Sequence, residues 1–385
     1  MRAVDLFAGC GGMSRGFEEA GVDIVAAFDN WDPAVATYRR NFDHPVYKVD
    51  LADVPGITQL LSDEFSPDMI IGGPPCQDFS SAGNRVEMGR ADLTVAFAQI
   101  VSNVRPKYFV MENVARARNS GAYADARAIF KEAGYGLIET VLDASLYGTP
   151  QKRKRFFCMG VLGAPDNFAE TRPEDLGADR PMSIRDFFGD SFGLEHYYRH
   201  PRNYSRRAVF SVDEPAPTMR GVNRPIPKGY PGHAADSHVL DEHVQALTTA
   251  QRARIQTFPS TFAWDGPKTH VEQLIGNAVP VNLAKFVAEY ITSYVDASNA
   301  KQMEDFNEWL TQHLGLDHRS ASDVVSRLRR ANGLVPLPAE ANERYLNALS
   351  ASAGFQALGV SIRSQLRRAA ILFIQFCEAD QQEAA

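Results

Sequence analysis

The sequence predicts a doubly wound α/β domain carrying an irregular insertion and an α-helical C-terminal segment, and three observations predict it. Short apolar runs without polar alternation, among them Met69-Ile70-Ile71 and Tyr108-Phe109-Val110-Met111, read as strands buried on both faces. These runs alternate with stretches of helical spacing, such as Met13 to Ala20 and Leu93 to Val104. From about Gly163 the periodicity dissolves into proline, glycine and arginine, and beyond about Ala300 every ordered stretch reads as helix.

The first strand, Ala3-Val4-Asp5-Leu6-Phe7, runs into Ala8-Gly9-Cys10-Gly11-Gly12, where glycines let a ligand approach the backbone at a helix N-terminus. The pattern is not the GxGxxG dinucleotide fingerprint. A second strand, Ile24 to Phe28, ends in Asp29, a carboxylate placed to accept hydrogen bonds from ribose hydroxyls; the alternative is a helix cap. Met69-Ile70-Ile71 ends at Gly72-Gly73, and Pro74-Pro75 fix the backbone just before Cys76. A thiol at a strand end followed by a polar, serine-rich loop is where a nucleophile would stand, and the alternative is a buried structural cysteine in a tight turn.

After the helix Leu93 to Val104, the strand Tyr108 to Met111 delivers Glu112 to another strand end. An unpaired carboxylate there has its pKa raised and is able to hold or share a proton, unless it is a buried glutamate paired with Arg153 or Arg155. A helix from Ala124 to Ala133 precedes a hairpin-like pair of last strands, Leu137 to Asp143 and Phe156 to Val161, with Gln151-Lys152-Arg153-Lys154-Arg155 between them. In the irregular stretch, Glu214-Pro215-Ala216-Pro217-Thr218-Met219-Arg220-Gly221 reads as a rigid turn presenting Thr218 and Arg220. His233, His238 and His243 recur every five residues, a poor metal spacing with no cysteine near, so no metal site is predicted.

Helical order returns from Leu247 to Phe258 and again from Val281 to Tyr294, whose apolar residues Leu283, Phe286, Val287, Tyr290 and Ile291 form a face that packs back onto the N-terminal sheet. The predicted division is therefore a discontinuous first domain (1–162 and 272–298), an inserted region (163–271) and a helical extension (299–385). Within that extension the helical segments are Met303 to His313, Ser320 to Asn332, Glu340 to Ser352 and Ile362 to Cys377.

Composition bounds the class. The chain has 385 residues, 44% hydrophobic and 23% charged, ordinary for a globular protein of two or three domains. No apolar run approaches the roughly 20 residues needed to cross a bilayer and no signal-peptide pattern opens the chain, so a cytoplasmic protein is expected. Four scattered cysteines without CxxC spacing argue against both a disulfide framework and a zinc site. The net charge of −7 hides a local excess: between His196 and Tyr230 seven basic residues (Arg199, Arg202, Arg206, Arg207, Arg220, Arg224, Lys228) face two acidic ones, Asp213 and Glu214. Such a patch suits a phosphate-bearing partner, or is an ordinary solvated face.

Six ordered blocks carry a resemblance. Asp5-Leu6-Phe7-Ala8-Gly9-Cys10-Gly11-Gly12, Pro74-Pro75-Cys76-Gln77 followed by Phe79-Ser80, Glu112-Asn113-Val114, Gln151-Lys152-Arg153-Lys154-Arg155, Arg254-Ile255-Gln256-Thr257-Phe258-Pro259 and Gly276-Asn277-Ala278-Val279-Pro280 together resemble the cytosine-C5 DNA methyltransferases, of the bacterial restriction-modification type. The blocks reach to about residue 295. The resemblance implies the Rossmann-like fold of S-adenosylmethionine-dependent methyltransferases, with 163–271 as a short target-recognition region.

By the same resemblance the cofactor, S-adenosylmethionine (product S-adenosylhomocysteine), is held by Phe7, Ala8, Gly9, Gly11, Gly12, Asp29, Asn30, Trp31, Asp50, Leu51, Pro74, Asn277 and Ala278. Asp29 is the ribose ligand and Asp50 the adenine amino-group ligand; Trp31 stands two positions after the acid, where the family's apolar contact often follows immediately. The implied catalytic set is Cys76, Glu112, Arg153 and Arg155, with both arginines pointing into the site. Cys76 attacks C6 of a cytosine flipped out of double-stranded DNA, while Glu112 engages N3. Gln77, Ser80, Ser81 and Arg90 lie on the loop that closes over the base. Because arginine reads guanine bidentately, Arg220 and Arg224 are the candidates for base contact. The expected partners are double-stranded DNA, bound by a monomer, and a companion restriction endonuclease against which methylation protects. An RNA cytosine methyltransferase, a non-enzymatic DNA-binding regulator and a nicotinamide-dependent dehydrogenase are the rival readings: Gln77-Asp78 after the cysteine favours DNA, the intact Cys76, Glu112 and arginine set argues for an enzyme, and the missing GxGxxG argues against the dehydrogenase.

Overall fold

A computed structural model of the chain describes residues 1–75, 93–335, 337 and 342–383. Two compact units divide it, Met1–Ile291 and Thr292–Ala385. Among the described residues no helix is long and apolar enough to cross a membrane.

The first unit is built on a seven-stranded sheet. Its strands are β1 (Arg2–Leu6), β2 (Asp23–Asp29), β3 (Val46–Lys48), β4 (Met69–Gly72), β5 (Tyr108–Val114), β6 (Tyr135–Asp143) and, after the two-residue β7 (Gln151–Lys152), β8 (Lys154–Leu162). Their order is β3-β2-β1-β4-β5-β8-β6, with β1 to β5 parallel and β8 antiparallel to both β5 and β6. The chain reverses its direction of winding between β1 and β4. That switch point opens a crevice at the carboxyl ends of the strands, where ligands of open α/β sheets bind.

Burial explains why the central strands read as unbroken apolar runs. One face of the sheet, with Val4, Phe28, Ile70, Phe109 and Met111, is covered by Phe97, Ile100 and Val101 of the helix Leu93–Val104 and by Tyr123 and Phe130 of the helix Gly121–Glu132. The other, around Ala27 and Val46, is covered by Tyr38 of the helix Asp32–Arg39, by Leu274 and Ile275 of the helix Lys268–Asn277, and by Val281. All four residues of β4 are buried. Gly72 is required there, since a Cβ would overlap the Leu6 carbonyl oxygen and the Phe97 ring.

Residues 163–271 are not wholly irregular. Three short strands, β9 (His196–Tyr198), β10 (Val209–Ser211) and β12 (Gln245–Ala246), form a small sheet in the order β10-β9-β12, and β11 (Ala216–Pro217) pairs in parallel with β7. A separate core of Ile184, Phe192, Tyr197, Phe210, Met219, Leu247 and Ile255 supports them. The helix beginning at Val281, expected to end near Tyr294, runs to Leu314 as one element. No glycine or proline interrupts it before Gly315, whose φ of 63° ends the helical path.

The second unit contains the helices His318–Asn332, Glu343–Ala351, Ala353–Gln356 and Val360–Glu383. Phe306, Leu310, Val325, Leu328, Ala369 and Phe373 make one core; Tyr345, Leu349, Phe355, Leu366 and Ala370 make a second.

Candidate active site

The crevice at the switch point holds a cavity of about 490 Å³. The carboxyl ends of four strands build it: Asp5 stands near the end of β1 and the Phe7-Ala8-Gly9 turn follows it, Asp29 ends β2 and leads to Asn30 and Trp31, Gly73 to Pro75 follow β4, and Glu112 with Asn113 lie in the last residues of β5. Leu274, Gly276, Asn277 and Ala278 complete the wall, so the segment before Val281 contributes to the cavity. Phe7 takes a left-handed backbone, φ 59°, a conformation that costs a non-glycine residue of the order of 1 kcal/mol and turns the chain sharply out of the strand.

Asp29 organises the cofactor side. Its Oδ2 accepts from the Gly9 amide at 2.8 Å and its Oδ1 from the Trp31 amide at 2.9 Å, tying the turns after β1 and β2 to one carboxylate. Burial pushes its pKa up, against the pull of those amides. Asp5, which the sequence marks only as a polar residue in an apolar strand, is also in the wall. It is 1% exposed, accepts from Ser14 Oγ at 2.6 Å through Oδ2, and leaves Oδ1 without a partner. Burial, reinforced by the Asp29 charge and opposed by Ser14, pushes the Asp5 pKa up to about 7. Tyr38 OH donates to Ser14 Oγ at 2.7 Å and lies 2.7 Å from His44 Nε2, so a buried polar chain runs from this carboxylate to the half-buried His44.

On the other side of the cavity, Glu112 is 7% exposed and Arg155 Nε stands 2.8 Å from its Oε1. The guanidinium sets a cation directly against Oε1, a buried ion pair. Burial pushes the Glu112 pKa up, opposed by the Arg155 and Arg153 charges, and the same burial lowers that of Arg155. A Cβ on Gly73 would come within 3.0 Å of Glu112 Oε2, so the glycine admits the carboxylate to the strand end from which the Cys76 loop departs. Asn113 donates through Nδ2 to the Pro74 carbonyl at 3.1 Å and holds that departure point; sequence reasoning gave it no role although it stands inside the Glu112-Asn113-Val114 block.

The other predicted residues separate into those in the cavity and those outside it. Phe7, Ala8, Gly9, Gly12, Asp29, Asn30, Trp31, Pro74, Glu112, Arg155, Asn277 and Ala278 line it. Asp50 is exposed, with Oδ1 accepting from the Ala52 amide; Leu51 is 2% exposed in the sheet core; Gly11 packs against Phe42 and Tyr38. Cys76, Gln77, Ser80, Ser81 and Arg90 lie outside the described residues. The three described cysteines, Cys10, Cys158 and Cys377, are all buried, and burial pushes the first two thiols up to about 12.

Arg153 departs from the expectation that it points into the site. It falls at the break between β7 and β8, is 1% exposed, and donates to the carbonyls of Met219 at 3.1 Å, Gly276 at 2.9 Å and Ala278 at 2.8 Å. Its guanidinium therefore staples residues 219 and 276–278 together instead of facing the cavity. Gln151 accepts from the Met219 amide and donates to Gln256 Oε1, and Thr218 Oγ1 donates to the Lys152 carbonyl, so Gln151, Lys152 and Arg153 hold the turn at 216–220.

A second cavity, about 270 Å³, lies in the 163–271 region, lined by Arg199, Arg202, Arg220, Arg224 and Arg252 with Tyr198 and His200. Arg252 pairs with Glu272 at 3.0 Å, Arg220 Nη2 donates to the His200 carbonyl at 2.5 Å, and Arg199 Nη2 to the Thr218 carbonyl at 2.6 Å. Burial and then the Arg220 charge lower the Arg199 pKa to about 10; burial and then Arg202, Arg224 and Arg206 lower that of Arg220. Arg224 is exposed.

A family model described as C-5 cytosine-specific DNA methylase matches residues 1–293. Type II methyltransferase M.HindV of Haemophilus influenzae is 53% identical over 296 residues, which span 76% of this chain and 97% of the relative. Type II methyltransferase M.HgiDI of Herpetosiphon aurantiacus is 50% identical over 305 residues, 79% of this chain and 98% of the relative. Among solved structures, S. pombe Dnmt2 methyltransferase superposes with a TM-score of 0.57 at 18% identity, covering 78% of this chain and 99% of that one, a likeness of fold.

Proposed function

The chain belongs to the C-5 cytosine-specific DNA methylases, and from that premise we propose that it flips its target cytosine out of double-stranded DNA and methylates C5 through a covalent Cys76–C6 adduct. The coarser activity follows from the family: it is a DNA cytosine-5 methyltransferase of the restriction-modification type that uses S-adenosylmethionine. The cavity suits that cofactor. Its ionisable groups on the β1 and β2 side are carboxylates, Asp5 with an unpartnered oxygen and Asp29, and Phe7 and Trp31 supply apolar wall for a flat ring. When bound, S-adenosylmethionine supplies an electrophilic methyl group.

The observation that carries the reading is the placement of Glu112, a buried carboxylate of raised pKa at the strand end that leads into Cys76. Cytosine C5 is a poor nucleophile while the ring is aromatic. Addition of the Cys76 thiolate to C6, with Glu112 donating its proton to N3, converts the ring to an enamine whose C5 attacks the methyl. That transfer releases S-adenosylhomocysteine as the leaving group; loss of the C5 proton to solvent water then re-forms the double bond and expels the thiolate, and N3 returns its proton to Glu112. Arg155 holds the Glu112 carboxylate in place. Asn113 fixes the root of the nucleophile's loop through Pro74, and Arg153 acts as a positioning residue. The buried state of Cys10, Cys158 and Cys377 favours Cys76 as the nucleophile. We assign the arginine cavity at 199–252 to the DNA backbone, and place the enzyme as a cytoplasmic monomer protecting host DNA against a companion endonuclease.

The test uses a duplex carrying 5-fluorocytosine at the target. Fluorine does not leave as the C5 proton does, so the expected result is a denaturant-resistant adduct mapping to Cys76, absent with Cys76→Ser. Efficient methylation by Cys76→Ser would overturn the covalent route. Bisulfite sequencing of plasmid from cells expressing the chain gives the target sequence.

A further inference from the structure

The helical unit Thr292–Ala385 lies almost wholly beyond the family match; it has nine basic and eleven acidic residues, and its eight arginines are gathered between Arg319 and Arg368. Between His318 and Cys377 the sequence has eight arginines, no lysine and three acidic residues, an excess of +5 in a chain of net −7. The local fold puts that charge outside. The helix His318–Asn332 buries Ala321, Val325, Leu328 and Ala331, which leaves Arg319, Arg329 and Arg330 exposed and Arg327 half-buried. The helix Val360–Glu383 buries Leu366, Ala369, Ala370 and Phe373, which leaves Arg367 and Arg368 exposed. Arg327 and Arg368 meet at one groove of about 490 Å³, whose apolar floor includes Leu316, Val324 and Leu372.

An ordinary solvated face intersperses the two signs and pairs them at i,i+4, as Lys301 and Asp305 do earlier in this unit. Here, among the described residues, none of the eight arginines forms an ion pair or a side-chain hydrogen bond within the protein. Asp323 stands four residues before Arg327 without reaching ion-pair distance. In the first unit Arg127, Arg180, Arg185, Arg207 and Arg252 are matched to carboxylates, and the arginines that are not, among the described residues, include Arg202 and Arg224 of the arginine cavity. Eight guanidiniums without a carboxylate partner among the described residues, on the side chain whose planar fork matches phosphate oxygens, point to a polyanion.

We propose that this face of the helical unit binds the phosphate backbone of the DNA duplex flanking the target site, adding sequence-blind affinity to an enzyme that chooses its sequence elsewhere. The proposal rests on DNA being the substrate, and its test separates the two. Full-length wild type and a full-length variant combining Arg327→Gln, Arg329→Gln, Arg330→Gln and Arg368→Gln are compared on two duplexes, one barely longer than the target and one extending several helical turns to either side. Binding is measured across a salt series and methylation on the short duplex.

For the wild type the expected result is tighter binding and a steeper salt dependence on the long duplex than on the short one. The variant should lose that difference, its salt slope on the long duplex falling by about one for each arginine that meets a phosphate, while it methylates the short duplex at the wild-type rate. A thermal melt matching the wild type shows that the unit is folded; if the combined variant melts early, Arg329→Gln/Arg330→Gln, at two exposed positions, takes its place. An unchanged slope on the long duplex overturns the proposal. So does a wild type that self-associates through this face, seen as a change of sedimentation on mutation with the slope unchanged. Failure of the wild type to methylate even the long duplex would instead strike the functional reading.

Discussion

Two cavities of the first unit differ in the sign of what they bury. At the carboxyl ends of the strands the wall carries three carboxylates, Asp5, Asp29 and Glu112, and burial raises the pKa of each, while its cations, Arg116 and Arg155, come from the β5 and β8 side. In the 163–271 region they are arginines, and burial together with their neighbours' charge lowers those of Arg199, Arg220 and Arg252. The β1 and β2 side of the first cavity carries carboxylates without a cation, and the wall of the second carries arginines without a carboxylate, which suits a cationic methyl donor in one and phosphate in the other. The net charge of −7 describes neither.

The largest test of this contrast is at Glu112. Glu112→Gln keeps the shape but neither holds nor releases a proton, so kcat should fall by about 10²–10⁴ with DNA affinity nearly unchanged. If kcat survives, or if affinity falls by the same factor, the carboxylate serves the fold and the electrostatic contrast has no chemical meaning. Next comes Arg153, which belongs to neither cavity but bonds to residues lining both, Met219 on one side and Gly276 and Ala278 on the other. Arg153→Met should leave the buried Met219 and Gly276 carbonyls without this donor, Ala278 keeping Gln256, and cost roughly 3 kcal/mol in denaturant unfolding, weakening cofactor and DNA binding together. Loss of turnover with stability and both affinities intact would return Arg153 to the catalytic centre.

A smaller effect is expected at Asp5, and its sign depends on pH. Its folded pKa, about 7, lies above the ordinary value of 3.8, so the folded state holds the proton more tightly and the wild type loses stability as pH rises between those values. Asp5→Asn removes the charge that must be buried. Relative to the wild type without cofactor, it should gain about 2 kcal/mol between pH 5 and pH 8. A difference independent of pH would mean that Asp5 is ionised in the fold like an exposed carboxylate, and the acidic character of the first cavity would rest on Asp29 and Glu112 alone.

These residues also mark where the sequence was legible. β4 and β5 announce themselves because helices cover both faces, so the positions are apolar up to the residues that work, Gly73 just past β4 and Glu112 within the last three residues of β5. The strands of the 163–271 region do not, because three residues each, as in β9 and β10, is too short for a period to show. Asp5 was legible in retrospect, as a charge between Val4 and Leu6 in a strand otherwise buried on both faces. Arg153 was not: in the sequence it and Arg155 look alike, and only the break between β7 and β8 turns one into the 276–278 carbonyls and leaves the other beside Glu112.

The smallest effect concerns Arg220 and Arg224, which the sequence paired as base readers and the structure distinguishes. Arg220 is half-buried, donates to the His200 carbonyl, and its own carbonyl accepts from Arg252, so its guanidinium is committed to holding the cavity in shape. Arg224 lines the same cavity but is exposed and forms no ion pair among the described residues. Arg224→Ala should therefore act on DNA alone. If it meets a phosphate, affinity weakens a few-fold at every site and the salt slope falls by about one; if it meets a base edge, discrimination at one position relaxes by about 1–3 kcal/mol with the slope little changed. Arg220→Ala should instead lower the melting temperature and blur discrimination at several positions at once, since it loosens the residues around His200 and Arg252. Melting curves and methylation of a panel of single-base target variants distinguish these outcomes. If Arg220→Ala is as stable as the wild type and relaxes one position only, the side chain leaves His200 when DNA binds, and the arginine cavity is a reading site rather than a rigid phosphate seat.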